Sequence, residues 1–165
     1  MEAAKRSGWE VRGNDISVAG VAWAKENYGL DIFRGFLEDD ELAESSLDAV
    51  VMWNTLEHLS NPVEALKICH RVLRNRGVVM IKVPCKTRDN LPDVEARYEM
   101  VHLTEFSRDG LCKMLQICGF TFVCESYDDE CGRHVMMVAR AVKQDVQMAK
   151  FDELMTMMRN RVPFC

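Results

Sequence analysis

No apolar run in this 165-residue sequence approaches the roughly 20 residues needed to span a bilayer, and no signal-peptide hydrophobic core is present. Basic residues do not dominate either. Lys and Arg number 21 against 26 Asp and Glu, a net charge of -5. That balance argues against nucleic acid or an anionic membrane as the main partner, because phosphate binding needs a basic face. The seven cysteines (69, 85, 112, 118, 124, 131 and 165) are odd in number and contain no CxxC pair. Neither a disulfide scaffold nor a zinc site is expected from them, and a reducing, cytoplasmic setting is. There are no internal repeats and no low-complexity tracts. What remains is an ordinary globular composition, 48% hydrophobic and 28% charged, of a length suited to one domain with one core.

Local patterning alternates helices and strands. A helix over Met1–Ser7 stops at Gly8, and Trp9–Asn14 is expected as a short strand. Ser17 can cap a helix through Val18–Tyr28 that Gly29 ends. Ile32 and Phe33 mark a second strand, followed by an acidic loop over Glu38–Glu44. Leu47–Trp53 is a third strand, and Pro62 opens a helix through Val63–Leu73. The basic cluster Arg71–Arg76 lies at that helix's end, where cations are favoured. Gly77 begins the strand Val78–Val83, and a long polar connection occupies 85–104. Ser107 opens a helix ending at Gly119. Phe120–Tyr127 and Val135–Ala141 follow as two strands without a helix between them, and Val146–Arg159 has the spacing of an amphipathic helix. The expected fold is doubly wound α/β, a mostly parallel sheet with an antiparallel C-terminal hairpin.

The most informative stretch is Val50–Pro62. An apolar strand breaks into the polar cluster Trp53, Asn54, Glu57 and His58 just before a helix. Open α/β sheets bind ligands at such strand ends.

Several segments together resemble the class I S-adenosylmethionine-dependent methyltransferases, over residues 1 to about 142. Val11–Ser17 resembles the end of that family's second strand, and Ser45–Val51 the lead-in to its fourth. Leu56–Leu59 with Asn61 and Pro62 resembles the turn after it. Arg71–Gly77 resembles the turn before strand five, and His102–Ser107 followed by Gly119–Phe120 a later segment. The resemblance implies S-adenosyl-L-methionine as cofactor and a small-molecule methyl acceptor. It puts the nucleoside beside Asp15, Ile16, Phe36 and Leu37, and the methionine portion beside Trp53 and Asn54. His58, Glu57 and His102 become the candidates for catalysis, since imidazole titrates near neutrality and can take a proton as the methyl group moves. Plainer roles stay open. Asp15 could simply join Ser17 in capping a helix, Trp53 could finish core packing, and Glu57–His58 could be a polar turn.

The sequence also departs from the family pattern. Relatives carry an Asp after the glycine that ends strand three, to accept from the adenine amino group, whereas here Phe36 follows Gly35. A ring can pack on a purine but cannot accept that hydrogen bond. In some quinone-type relatives a Glu-x-x-Glu-His arrangement binds a divalent cation. Asn54 stands at its first acidic position, so no metal is expected.

The larger departure is the G-x-G-x-G loop, which relatives carry roughly 20 residues before the acidic residue. Only fourteen residues precede Asp15, and none forms that loop. A domain lacking its first strand and loop is therefore expected over 1–142, with 143–165 as a C-terminal helix and tail. Strands beside the missing one would present open edges, which a second copy or a partner subunit could cover. Two functions follow as expectations. One is methyl transfer to an oxygen, nitrogen or carbon of a small molecule; the other is a non-catalytic methyltransferase-like module that pairs with another subunit. A nicotinamide-dependent Rossmann enzyme is disfavoured by the closing hairpin and the Leu-Glu-His turn.

Overall fold

Strand β3, Leu47–Trp53, and helix α3, Pro62–Val72, form where the apolar spacing puts them. Asn61 caps α3 through its side-chain oxygen on the Glu64 N–H, and Pro62 takes the first turn, where its missing N–H costs nothing. The computed structural model describes residues 1–37, 40–85, 102–127 and 134–143. The Val146–Arg159 helix, residues 86–101 of the long connection, and the turn 128–133 lie outside them.

The chain divides into two units, Met1–Ala43 and Glu44–Cys165. In the first, helix α1 (Glu2–Arg6) precedes strand β1 (Asn14–Asp15), helix α2 (Val18–Tyr28) and strand β2 (Phe33–Arg34). Strands β1 and β2 pair in parallel, Asn14 beside Phe33 and Asp15 beside Arg34. The expected strand over Trp9–Asn14 is thus confined to its last residue and Asp15. The Ser17 hydroxyl accepts from the Gly20 N–H at 3.0 Å to start α2. Gly29 ends it at φ 59, a left-handed conformation that costs glycine nothing. Arg12 pairs with the buried Asp40 at 2.6 Å.

In the second unit, β3 is followed by a single 3₁₀ turn (Leu56–His58), α3, strand β4 (Leu73–Pro84), helix α4 (Arg108–Ile117), and strands β5 (Phe120–Tyr127) and β6 (His134–Ala141). Four strands form a mixed sheet in the order β3-β4-β6-β5. β3 runs parallel to β4, while β6 is antiparallel to both β4 and β5. The last strand is therefore inserted between its two predecessors. Strand β4 begins earlier than Gly77, because Leu73 already pairs with Leu47.

One face of this sheet is the core. Val79, Ile81 and Val83 of β4 and Val135, Met137, Ala139 and Ala141 of β6 are fully buried. Leu66, Cys69 and Val72 of α3 and Leu111 and Leu115 of α4 are buried with them, and α3 packs on β4 as α4 packs on β5. The alternate residues Val78, Met80 and Lys82 are half-buried. Gly77 permits a close crossing, since a Cβ there would stand 3.0 Å from the Arg74 carbonyl and 3.1 Å from that of Asp48. No helix among the described residues is long and apolar enough to cross a membrane.

Candidate functional site

Two sets of predicted residues collect at the carboxyl ends of parallel strands, each within its own unit. In the first unit, β1 ends at Asp15 and its partner β2 ends at Arg34, so Ile16 and the run Gly35–Leu37 leave the small sheet at the same edge. The Gly35 N–H donates to the Asp15 carbonyl at 3.1 Å, and the Asn14 amide donates to the Gly35 carbonyl at 3.2 Å. Asp15 Oδ1 accepts from the Ser17 N–H at 2.8 Å. The capping role is therefore present, and it occupies one carboxylate oxygen. Ile16 and Phe36 are exposed and Leu37 is half-buried.

In the second unit, β3 ends at Trp53, which pairs with Lys82 of β4. Trp53 is 53% exposed, and the Lys82 ammonium lies 4.7 Å from its ring centroid. Asn54 turns the chain out of the sheet at φ 48, a left-handed conformation that Asn tolerates better than most residues. Its N–H donates to the Lys82 carbonyl at 2.9 Å.

The 3₁₀ turn follows directly. Leu56 is its fully buried anchor. Glu57 is only 1% exposed, and neither carboxylate oxygen has a hydrogen bond among the described residues. The Glu57 backbone carbonyl is well satisfied, accepting from Leu103 at 2.9 Å and Thr104 at 3.1 Å. These bonds tie the turn to the segment that carries His102. His58 is exposed, with Nε2 3.9 Å from Glu57 Oε1. The His58 and His102 rings meet edge to face, their centroids 4.8 Å apart.

Glu57 and His102 line a small cavity of about 40 Å³ with Pro84, Thr104, Glu105 and Phe106. Room on this scale suits a water molecule or a small polar group. Sequence reasoning selected His102 from the His102–Phe106 segment and passed over Thr104 and Glu105. It also missed Lys82, whose place over Trp53 follows from strand register rather than from any local signal. Cys85 is bridged to Phe106 beside the cavity, and burial pushes its thiol pKa up against a hydrogen bond from the Arg108 backbone. It is thus a poor nucleophile at neutral pH.

A methyltransferase domain family model matches residues 1–81. A protein of Mycolicibacterium smegmatis, named "Probable S-adenosylmethionine-dependent methyltransferase", is 31% identical over 111 residues, covering 67% of this chain and 43% of the relative. By these matches the chain is related to the S-adenosylmethionine-dependent methyltransferases. It spans less than half the length of that curated relative. Among solved structures, the [4+2]-cyclase SpnF superposes with a TM-score of 0.70 at 15% identity, covering 85% of this chain and 70% of its own. A Burkholderia thailandensis 1,6-didemethyltoxoflavin-N1-methyltransferase, solved with its namesake compound and S-adenosylhomocysteine, gives 0.65 at 18% identity, covering 84% and 64%. These two likenesses establish the Rossmann-like methyltransferase fold. One of the two carries a cyclase name, so fold alone does not assign activity.

Proposed function

We propose that this chain takes part in methyl transfer from S-adenosylmethionine to a small-molecule acceptor. The observation that carries the reading is the buried Glu57, without a hydrogen bond among the described residues, beside two imidazoles at the carboxyl end of β3. The cofactor suits the residues at the other strand ends. Asp15 Oδ2 is left to accept from vicinal hydroxyls, Phe36 offers an exposed ring to a purine face, and Ile16 and Leu37 flank them. Trp53 and Asn54 are the candidates for the methionine portion, with the exposed indole as its apolar wall.

The bound cofactor supplies a methyl group activated by its sulfonium. The protein's share is to align the acceptor atom in line with that group and to remove a proton where the acceptor carries one. His58 or His102 takes that proton on an imidazole nitrogen, and the Glu57 carboxylate offsets the positive charge that results. Calorimetric titration of the full chain with S-adenosylmethionine and S-adenosylhomocysteine is the direct test. Absence of heat at millimolar ligand would overturn the reading.

A second reading is a methyltransferase-like module that works bound to another subunit. It is favoured by β3, which closes one side of the four-stranded sheet with Val51 and Trp53 exposed. Among the described residues β3 pairs on one side only, and a second copy or a partner subunit could pair along its other edge. Sedimentation that returns a monomer with full cofactor affinity would exclude this alternative.

A further inference from the structure

Glu57 presents an electrostatic problem that base catalysis does not solve. A carboxylate with 1% exposure and no hydrogen bond among the described residues, with only the His58 ring nitrogen at 3.9 Å recorded as an ion-pair contact there, carries a desolvation cost of several kcal/mol as an ion. A permanent cation would remove that cost. The groups that face it are two imidazoles. The ligand atoms of Glu57, His58 and His102 all lie within 4.8 Å of one another.

We propose that Glu57, His58 and His102 form a binding site for a divalent cation of the zinc type. Two nitrogens and one carboxylate oxygen make a donor set suited to borderline ions, whereas magnesium and calcium favour sites made wholly of oxygen. Three protein ligands also leave a fourth tetrahedral position open, as in zinc sites that act on a substrate. The two segments of the site are already fastened together, because the Glu57 carbonyl accepts from the N–H groups of Leu103 and Thr104. Ligands of a tetrahedral zinc ion sit about 3.3 Å apart, so the widest separation must contract by about 1.5 Å. His58 is the arm that can close it, being exposed at the end of a single 3₁₀ turn.

This assignment departs from the expectation drawn from Asn54, since His102 supplies a donor from a distant part of the sequence. It also sharpens the chemistry of the acceptor. In the metal-bound form the two imidazoles give up the proton-accepting role stated above, since a ring nitrogen that holds a cation cannot take a proton, and a divalent charge beside the cavity favours an acceptor that presents an anionic oxygen. The proposal rests on the cluster and not on methyl transfer, so the two can fail independently.

The test is direct metal binding by the full chain after chelator treatment, using zinc in competition with a chromophoric chelator and cobalt by its visible absorption. One ion per chain is expected, with cobalt bands of nitrogen and oxygen ligation and no thiolate charge-transfer band. His102→Ala and His58→Ala should each weaken binding by ~10-fold or more, as metal sites lose at least this much even from outer-shell changes. His70→Gln, in α3 with its ring against Phe120, should leave it unchanged. Glu57→Gln should act like the histidine variants, and if it fails to fold, the other two decide. No binding at micromolar metal, a thiolate spectrum, or affinity unchanged in both histidine variants would overturn the proposal. Titration with S-adenosylmethionine in the presence of chelator separates loss of the metal from loss of cofactor binding.

Discussion

Leu103 donates its backbone N–H to the Glu57 carbonyl at 2.9 Å, joining residues 46 positions apart in the sequence. The bond, with its neighbour from Thr104, holds His102 within ring contact of His58. A cluster that looks scattered along the chain is thereby a single local object.

That arrangement makes His58→Ala informative under the methyl-transfer reading. Turnover should fall by ~10²–10⁴-fold, the usual contribution of a positioned proton acceptor. Affinity for S-adenosylmethionine should change little. Steady-state kinetics beside calorimetry separates these, and equal loss of both would assign His58 to cofactor binding instead.

Asp15 offers the complementary case. Asp15→Asn keeps a side-chain oxygen for the Ser17 N–H but loses the charge that strengthens hydrogen bonds to ribose hydroxyls. Cofactor affinity should drop by roughly 10–100-fold, corresponding to about 1.5–3 kcal/mol for a charged hydrogen bond. The melting temperature should stay close to that of the parent, and a large drop in it would make Asp15 a structural cap only.

Gly77→Ala should destabilise the second unit. Its Cβ would meet two backbone carbonyls at 3.0 and 3.1 Å, which cannot rotate away as a side chain could. A cost of about 1–3 kcal/mol is expected from such overpacking, visible as a lower denaturant midpoint. Leu66→Ala, at a fully buried position, should cost about 2–5 kcal/mol by leaving a cavity.

Cys69 gives a pH prediction. Burial pushes its thiol up from 9.0 to about 12. The folded state therefore keeps a proton that the unfolded state releases above pH 9. Stability has no contribution from this group below pH 9 and falls by up to about 1.4 kcal/mol per pH unit from there toward 12. Denaturation midpoints of Cys69→Ser, compared with the parent across that range, check the slope. Alkylation at pH 8 should reach the exposed Cys124 long before Cys69.

Much of the fold was legible because its signals are local. Strand β3 and helices α2 and α3 follow from an apolar run, a capping Ser17, an opening Pro62, and stops at Gly29 or the next strand. Strand β1 was expected too long, since Trp9–Arg12 carries suitable residues but has no partner in the ladder, and Gly13 joins it only through its carbonyl, which accepts from the Phe33 N–H. The start of β4 was hidden because Arg74–Arg76 has no strand character, and only the Leu73–Leu47 pairing puts it in the sheet. The residue types of the site were visible, but not the burial of Glu57, because glutamate is almost never fully buried. Nor could spacing alone bring His102 to His58, since that contact depends on backbone bonds across the long connection.

The place of β6 has a consequence for how the molecule comes into being. Because the last described strand lies between β4 and β5, those two cannot find their final neighbour until the chain has been made as far as Ala141. On the ribosome, β4 must wait with one hydrogen-bonding edge open while more than fifty residues beyond Pro84 are added. Such long-range pairing is slow and leaves a sticky intermediate. Yield of soluble protein should therefore respond more strongly to substitutions in β6 than their cost to the finished fold would suggest.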